Sequence, residues 1–139
     1  MRCVLDTDVI VAGLRSDSGA SRQLLIAVDE GRLDIVVSVP LALEWEAVLK
    51  RPHNLAAAGI DSADVDTVID LLVGRAQRAE LHFLWRPQAF DPDDEIVLET
   101  AVNGYADTIV SFNTKDLLRP AERFGIEVIK PAEVLRRWR

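Results

Sequence analysis

Short apolar segments of the kind that form buried strands alternate with helical segments along this chain. The strands are predicted over residues 2–5, 33–38, 80–85, 107–111 and 127–129. A helical segment stands in each interval between them, and one more follows Pro131. Strands that alternate with helices form units in which the strands are parallel and helices cover the sheet. The sequence therefore predicts an α/β fold with a mostly parallel sheet, covered on both faces.

Capping residues and prolines mark where the predicted helices begin and end. One helix is predicted over residues 19–30, and the next begins at Ser38 and ends near Arg51. Residues 52–59 are predicted to be a loop, which leads to an amphipathic helix over residues 62–79. The last helices are predicted from Asp93 to Gly104, from Leu117 to Phe124, and after Pro131.

The length of 139 residues suits one domain, spanning residues 1–139. The apolar runs are far shorter than the ~20 residues that a membrane span needs. Asp6 comes too early for a secretory signal peptide. Cys3 is the only cysteine, which permits no internal disulfide bond. A cytoplasmic protein with no membrane segment is expected.

The chain is acidic, with a formal net charge of −7 and a pI near 4.8. This balance argues against a protein that coats nucleic acid, because such proteins carry a broad basic face. It does not exclude a nuclease, since bound divalent cations reverse the local field of an acidic site.

Acidic residues stand where the predicted strands end and helices begin. Asp6 and Asp8 follow the first strand, and Glu44 follows the second. Asp91, Asp93 and Asp94 precede a helical run, and Asp116 follows the fourth strand. In an open α/β sheet the carboxyl ends of the strands lie along one edge, where ligands bind. Acids that are distant in sequence are therefore expected to meet there. A cluster of carboxylates without neutralising partners indicates a cation site.

Each acid also has an ordinary structural explanation. Asp6 or Asp8 can cap the first helix, and Asp116 can cap the helix that follows it. The acids of residues 91–94 suit the first turn of a helix, where the helix dipole favours negative charge. Glu44 lies in an apolar helix and points either to solvent or into the site. The argument for function depends on four separate segments that each deliver an acid to one edge.

Carboxylate oxygens suit hard divalent cations, so Mg²⁺ or Mn²⁺ is expected rather than zinc. His53 and His82 lie away from the acidic segments and are assigned no role. No serine–histidine or cysteine–histidine set and no phosphate-binding glycine loop is evident. Hydrolysis by metal-activated water is the chemistry that these residues support.

In order along the chain, these segments resemble the motifs of PIN-domain ribonucleases, in particular the VapC-like toxin components of toxin–antitoxin pairs. The matching segments are Val4–Val11 with Asp6-Thr7-Asp8, Ser38–Pro52 with Glu44, Asp91–Asp94 followed by Leu98 and Ala101, Ala106–Leu117, and Gly125–Glu133. Each motif is weak alone, but the ordered set covers nearly the whole chain.

The resemblance implies a three-layer α/β/α sandwich and an endoribonuclease that depends on Mg²⁺ or Mn²⁺. Carried over by position, Asp6, Glu44 and Asp94 would hold the metal, with Asp93 as the rival of Asp94. One or two cations would activate a water, position the scissile phosphate and neutralise the departing 3′ oxygen.

Two positions depart from the family pattern. Asp8 stands where asparagine is usual, and Asn113 stands where many members carry a fourth acid. Asn113 can ligate weakly through its amide oxygen, and Asp116 can supply the missing charge. We expect an intact site that also includes Asn113 and Asp116.

The resemblance also implies partners: an RNA substrate, a cognate antitoxin protein that occupies the groove, and a possible homodimer. The helix at 62–79 and the aromatic residues Trp45 and Trp85 are candidate contact surfaces, although core positions suit each of them as well.

Two rival hypotheses remain open. Asp6-Thr7-Asp8 after a strand resembles the nucleophile motif of haloacid-dehalogenase-like phosphatases, in which a lysine, here Lys115, would steady the phosphoaspartate. Asn113 and the acidic balance fit instead a PIN-like module that binds RNA or protein without cleavage. Metal affinity separates the second rival from the nuclease, and covalent phosphate would identify the first.

Overall fold

Parallel strands form the central sheet of the protein, in a computed structural model that describes residues 1–82, 88–89 and 91–138. Within these residues the strands are β1 (Arg2–Leu5), β2 (Asp34–Val37), β3 (Gln77–Arg78), β4 (Thr108–Val110) and β5 (Glu127–Ile129). Their order across the sheet is β3-β2-β1-β4-β5, and every neighbouring pair is parallel. The predicted α/β class is confirmed.

The order of the strands creates a switch point between β1 and β4. From β1 the chain moves outward to β2 and β3, and it then returns to the other side of β1 to form β4 and β5. The connections that leave β1 and β4 therefore diverge, which opens a crevice at the carboxyl ends of these two strands. The acidic residues predicted to form a site follow or face this crevice.

The helices form two layers around the sheet. Their bounds are α1 (Thr7–Arg15), α2 (Ala20–Asp29), α3 (Val39–Leu49), α4 (Pro52–Ala58), α5 (Ser62–Arg75), α6 (Pro92–Asn103), α7 (Thr114–Glu122) and α8 (Pro131–Arg137). Helix α2 packs against α1, α5 and α8, whereas α6 packs against α7 and lies along β1, β2 and β4. Among the described residues, no helix combines the length and the apolar character needed to span a membrane.

The core explains why the first strand reads as an uninterrupted apolar run. Cys3, Val4 and Leu5 are all fully buried, because β1 lies at the centre of the sheet and is covered on both faces. Trp45, a candidate contact residue by sequence, is completely buried in the same core. Trp85, the other candidate, lies outside the described residues.

Several helix ends follow the predicted caps. The Ser38 hydroxyl accepts a hydrogen bond from the Leu41 amide at 3.3 Å at the start of α3. Asp61 and Asp64 form a reciprocal capping box at the start of α5, with distances of 2.8 and 3.0 Å. These caps fix where α3 and α5 begin and so confirm two predicted starts.

Three sequence predictions about helices were wrong. Residues 52–59, predicted to be a loop, contain helix α4, which has Pro52 in its first turn and ends at Gly59 with φ 69°. Helix α5 ends at Arg75 rather than at residue 79. Helix α7 begins at Thr114, so Asp116 lies in its first turn rather than capping a helix from Leu117 to Phe124.

The third strand also differs from the prediction of residues 80–85. It is Gln77–Arg78, which pairs with Val36 and Val37 of β2, while residues 80–82 are not strand and residues 83–85 lie outside the described part. The apolar pattern failed here because both residues of β3 are exposed, as short polar edge strands are in many sheets.

Candidate active site

Asp6 and Ser111 meet because they are the first residues after two paired strands. Leu5 of β1 pairs with Val110 of β4, and the Asp6 amide donates to the Val110 carbonyl at 3.0 Å. The Ser111 hydroxyl donates to Asp6 Oδ2 at 2.6 Å, and the Thr7 amide donates to Asp6 Oδ1 at 2.8 Å. Asp6 therefore caps α1 and is held at the crevice at the same time. Burial raises its pKa, and these two hydrogen bonds oppose the shift.

Asp8 lies in the first turn of α1, beside the same loop. Its Oδ2 accepts hydrogen bonds from the Phe112 amide at 3.1 Å and from the Ser111 hydroxyl at 3.4 Å. Its Oδ1 is buried and has no hydrogen-bond partner among the residues described. Burial and the charge of Asp6 raise the pKa of Asp8 to about 6. The buried Oδ1 atom, which has no hydrogen-bond partner among the described residues, is therefore a candidate ligand atom for a cation.

Glu44 points into the site, which decides between the two orientations that the sequence left open. The Thr7 hydroxyl donates to Glu44 Oε2 at 2.9 Å, so α3 and the start of α1 are joined through this contact. Asp93 lies in the wall of the same cleft as Glu44. Burial raises the pKa of Glu44 to about 7, and Asp93 adds to the shift while Thr7 opposes it.

Asp94 approaches the site from the first turn of α6. Its side chain is buried, with 8% of the residue exposed, whereas Asp93 is exposed. The Asn113 amide group donates to the two carboxylate oxygens of Asp94 at 3.4 and 3.5 Å. Burial raises the pKa of Asp94 to about 6, with contributions from Asp6, Asp91 and Asp116. Asp94 is thus the buried acid of the pair, whereas the exposed Asp93 contributes to the raised pKa values of Asp6 and Glu44.

A buried contact sets α3 and α6 relative to each other. The hydroxyls of Ser38 and Thr100 are 2.7 Å apart, and both side chains are buried. Farther along α6, Gly104 packs so closely on β2 that an added Cβ would stand 2.2 Å from Val36 Cγ1. Helix α3, which carries Glu44, is therefore joined to α6, which carries Asp94, and α6 is packed on β2, at points outside the site.

The acids line two adjoining clefts. The first has a volume of about 560 Å³ and contains Asp6, Asp8, Glu44, Asp91, Asp93 and Asp94 in its wall. The second, of about 690 Å³, contains Asp91, Asp94 and Asp116. Of the predicted site residues, Asp6, Glu44 and Asp94 thus share one cleft. Asp116 lies in the neighbouring one, and Asn113 contacts Asp94.

The donor set suits a hard divalent cation, although no group of three or more His, Cys, Asp or Glu side chains in the described residues is already arranged as a set of metal ligands. Asp6, Asp8, Glu44 and Asp94 offer carboxylate oxygens alone, which Mg²⁺ and Mn²⁺ prefer. Their pKa values are raised by burial, and neighbouring carboxylates add to each shift. A divalent cation would reverse that field and favour the ionised forms.

Sequence reasoning missed the two hydroxyls that hold the acids. Ser111 contacts both Asp6 and Asp8, and its hydroxyl oxygen also accepts a hydrogen bond from the backbone N–H of Asn113 at 2.8 Å. Thr7 contacts Glu44. The position of Ser111 in the sequence could have indicated its role, because Ser111 directly follows β4 just as Asp6 directly follows β1.

Comparison with known proteins identifies the family. A family model of the PIN domain matches residues 2–115. The chain belongs to the PIN domain family. This family consists of nucleases that generally depend on divalent metal ions. The predicted resemblance to PIN-domain proteins is confirmed.

Solved structures agree with the fold. VapBC2 from Rickettsia felis, bound to a DNA fragment from its promoter, matches with a TM-score of 0.56 and 14% identity, over 94% of this chain and 98% of that chain. FitAB bound to the IR36 DNA fragment matches with a TM-score of 0.58 and 14% identity, over 93% and 94%. FitAcB from Neisseria gonorrhoeae matches with a TM-score of 0.54 and 16% identity, over 94% and 98%.

At these identities the similarity concerns the fold, and it extends over most of each chain. No curated protein matches this chain in sequence.

Proposed function

We propose that this protein is an endoribonuclease that depends on Mg²⁺ or Mn²⁺ and acts as the toxin of a toxin–antitoxin pair. The observation that supports this most strongly is the convergence of Asp6, Glu44 and Asp94 on one cleft, in a chain of the PIN family. These acids come from the start of α1, from α3 and from α6, so their meeting is a property of the whole fold rather than of a local turn.

The residues have distinct roles in this proposal. Asp6, Glu44 and Asp94 hold the cation, and Asn113 and Asp116 complete its surroundings. When bound, the cation supplies an activated water and charge neutralisation for hydrolysis of the phosphodiester bond. Ser111 and Thr7 keep the carboxylates of Asp6 and Glu44 oriented through the hydrogen bonds that they donate.

The proposed partners follow from the family and from the matched structures. VapBC2 and FitAB are both described as bound to DNA fragments, and both are named as pairs of components. We extend the pairing to this chain as a cognate antitoxin protein, together with a homodimer of the toxin itself. Because the substrate is cellular RNA, the proposed location is the cytoplasm.

A PIN-like module that binds without cleavage is the second candidate. Asn113 favours it, because an amide that donates to Asp94 stands where many family members carry an acid. The phosphatase hypothesis has less support. Lys115, its candidate charge partner, lines the second cleft rather than the one that contains Asp6.

RNA cleavage measured with Mn²⁺, and again with a chelator, tests the proposal. Wild type is compared with Asp6→Asn, which keeps the cap of α1 because asparagine also caps helices well. Asp70→Asn is the matched control, since Asp70 is an exposed acid on α5. The proposal requires cleavage that needs metal, is lost in Asp6→Asn and persists in Asp70→Asn. Binding of RNA without metal-dependent cleavage would favour the non-cleaving module.

A further inference from the structure

The basic side chains of the described residues fall into two groups. One group forms ion pairs and consists of Arg2, Arg22, Arg32, Lys50, Arg75, Arg136 and Arg137. The other group has no described carboxylate within ion-pair distance and consists of Arg15, Arg51, Arg78, Lys115, Arg119, Arg123 and Lys130. Of this second group, all except Arg78 and Lys130 line the two acidic clefts. Unneutralised positive charge is therefore concentrated around the candidate site.

These bases are divided between the two adjoining clefts. Arg15 and Arg51 line the first cleft and form what we term the Arg51 flank. Lys115, Arg119 and Arg123 line the second cleft and form the Arg119 flank. Asp91 and Asp94 belong to the walls of both clefts, so the two clefts adjoin at these acids and each cleft has its own flank of bases.

Neutral amides hold one guanidinium in each flank. Arg15 Nη2 donates to Asn54 Oδ1 at 2.6 Å, and the buried Asn54 in turn donates to the Val48 carbonyl at 2.7 Å. Arg123 Nη1 donates to Gln88 Oε1 at 2.9 Å. An amide orients a guanidinium without cancelling its charge, whereas a carboxylate would do both. The remaining N–H groups can therefore bind an anion.

We propose that the two flanks hold the phosphates on either side of the scissile phosphate in a single strand of RNA, which crosses the acidic centre from one cleft to the other. Arginine binds phosphate well because its planar fork of donors matches phosphate oxygens. One isolated phosphate group cannot occupy two clefts of about 560 and 690 Å³ at once, but a chain of phosphates can. The inference rests on the proposed function for its substrate.

An acidic segment of a partner protein is the competing occupant. The centre between the flanks favours RNA, because the acids that bind a cation would be next to a phosphodiester that the cation can neutralise. A peptide carboxylate has no corresponding reaction there. The flanks are accordingly positioning residues, which act by placing the strand on the acids.

The proposed RNA path is tested by the binding of a labelled, unstructured single-stranded RNA to the protein. A chelator removes divalent cations, so that the RNA is bound but not cleaved. The variants are Arg51→Gln, Arg119→Gln and the double variant; both side chains belong to exposed residues. Arg32→Gln with Arg75→Gln is the control, because it changes the net charge equally at exposed ion pairs outside the clefts. Fluorescence anisotropy is recorded over a series of salt concentrations.

We expect each single variant to weaken binding several-fold and the double variant to weaken it by about the product of the two factors, as independent sites do. The slope of log affinity against log salt should fall by about 0.7 for each phosphate that the variant no longer neutralises. The control should retain the wild-type affinity and slope. In cleavage assays KM should rise while kcat changes little. Arg51→Lys should restore the wild-type salt slope and part of the affinity, because it keeps the charge but not the planar fork.

Unchanged RNA affinity in the double variant would overturn the proposal, as would an equal decrease of affinity in the control. Circular dichroism shows whether a variant is folded. If a glutamine variant does not fold, RNA binding by Arg51→Lys tests the proposal in its place. Binding of a polyglutamate peptide that needs both flanks, with RNA binding unaffected, would assign the flanks to a protein partner instead. If RNA binding depends on the two arginines but no RNA is cleaved, the proposed nuclease activity is wrong and the proposed RNA path stands. If RNA is cleaved but its binding does not depend on the arginines, the RNA path is wrong and the nuclease activity stands.

Discussion

Charged side chains are arranged differently at the amino ends and at the carboxyl ends of the strands. At the amino ends of the strands, acids and bases pair: Arg2 with Asp34 at 3.2 Å, Arg32 with Glu30 at 2.9 Å, and Arg137 with Glu127. At the carboxyl ends, carboxylates are buried beside one another, and the bases that line the two clefts form no ion pairs with described residues.

This difference separates charge that serves the fold from charge that serves a ligand. The amino-edge pairs are exposed and contribute little to stability, typically about 0–1 kcal/mol each. The carboxyl-edge acids oppose folding as long as they are ionised without a counter-ion, because burial raises their pKa values. A fold that retains such a cluster is expected to bind a cation there, and variants at the carboxyl edge should therefore change activity far more than stability.

Asp94→Asn should reduce RNA cleavage by at least about a hundredfold, because it removes a proposed metal ligand. Thermal unfolding should show equal or slightly higher stability, since one buried carboxylate that repels Asp6 is gone. Asp93→Asn, on the neighbouring exposed residue, should have the smaller effect on cleavage. Retained cleavage in both Asp94→Asn and Asp6→Asn would remove the argument for a metal site.

Ser111→Ala should lower cleavage by about 10–100-fold, the usual effect of losing a group that orients a metal ligand. The substitution removes the hydroxyl that donates to Asp6, and it leaves the backbone N–H of Asn113 without the acceptor that Ser111 provides. Ser21→Ala is the matched control, because the Ser21 hydroxyl is buried but has no hydrogen-bond partner among the described residues. If the two variants cleave RNA equally well, the orienting role of Ser111 is wrong.

Asn113→Asp should tighten Mn²⁺ binding several-fold, because an added carboxylate raises the charge of the ligand set beside Asp94. Without metal the same variant should unfold at a lower temperature, since the new acid repels Asp94. Calorimetry and thermal unfolding measure the two effects on one sample. Weaker metal binding in this variant would indicate that Asn113 faces away from the ion.

Metal-free protein should lose stability as the pH rises from about 4 to about 7. The pKa of Glu44 is raised from 4.5 to about 7 and that of Asp94 from 3.8 to about 6, so the folded state holds protons that the unfolded state releases. The stabilisation is complete below the unfolded pKa values and is lost as the pH passes the folded ones. A decrease of a few degrees in unfolding temperature is expected. Saturating Mn²⁺ should abolish the decrease, because the cation binds the ionised forms; a decrease that persists with metal would contradict this.

The sequence was sufficient for the features that depend on local patterns. The apolar run of residues 2–5 predicted the central strand. Acids placed after strands and at helix starts predicted that carboxylates distant in sequence would meet, as Asp6, Glu44 and Asp94 do in one cleft. The first inference needs only the apolar pattern, and the second needs the rule that parallel strands present their carboxyl ends at one edge. The choice of Asp94 over Asp93 came from the resemblance to PIN-domain ribonucleases.

The features that sequence did not predict depend on tertiary contacts. Strand β3 has two exposed polar residues and exists because it pairs with β2. Ser111 shows its role only when β1 and β4 are paired, which brings it within 2.6 Å of Asp6. Asp116 lies in the first turn of α7, which begins at Thr114, and it shares a cleft with Asp94 but not with Glu44.

Titration of Mn²⁺ into the purified protein by calorimetry, on wild type and on Asp94→Asn, tests the central claim most directly. Convergent carboxylates predict saturable binding to wild type, with affinity that increases from about pH 5 to about pH 7 as Glu44 and Asp94 ionise. They also predict that the binding is lost in the variant. Absence of binding at millimolar Mn²⁺, or equal binding by both proteins, would show that these acids do not form a metal site.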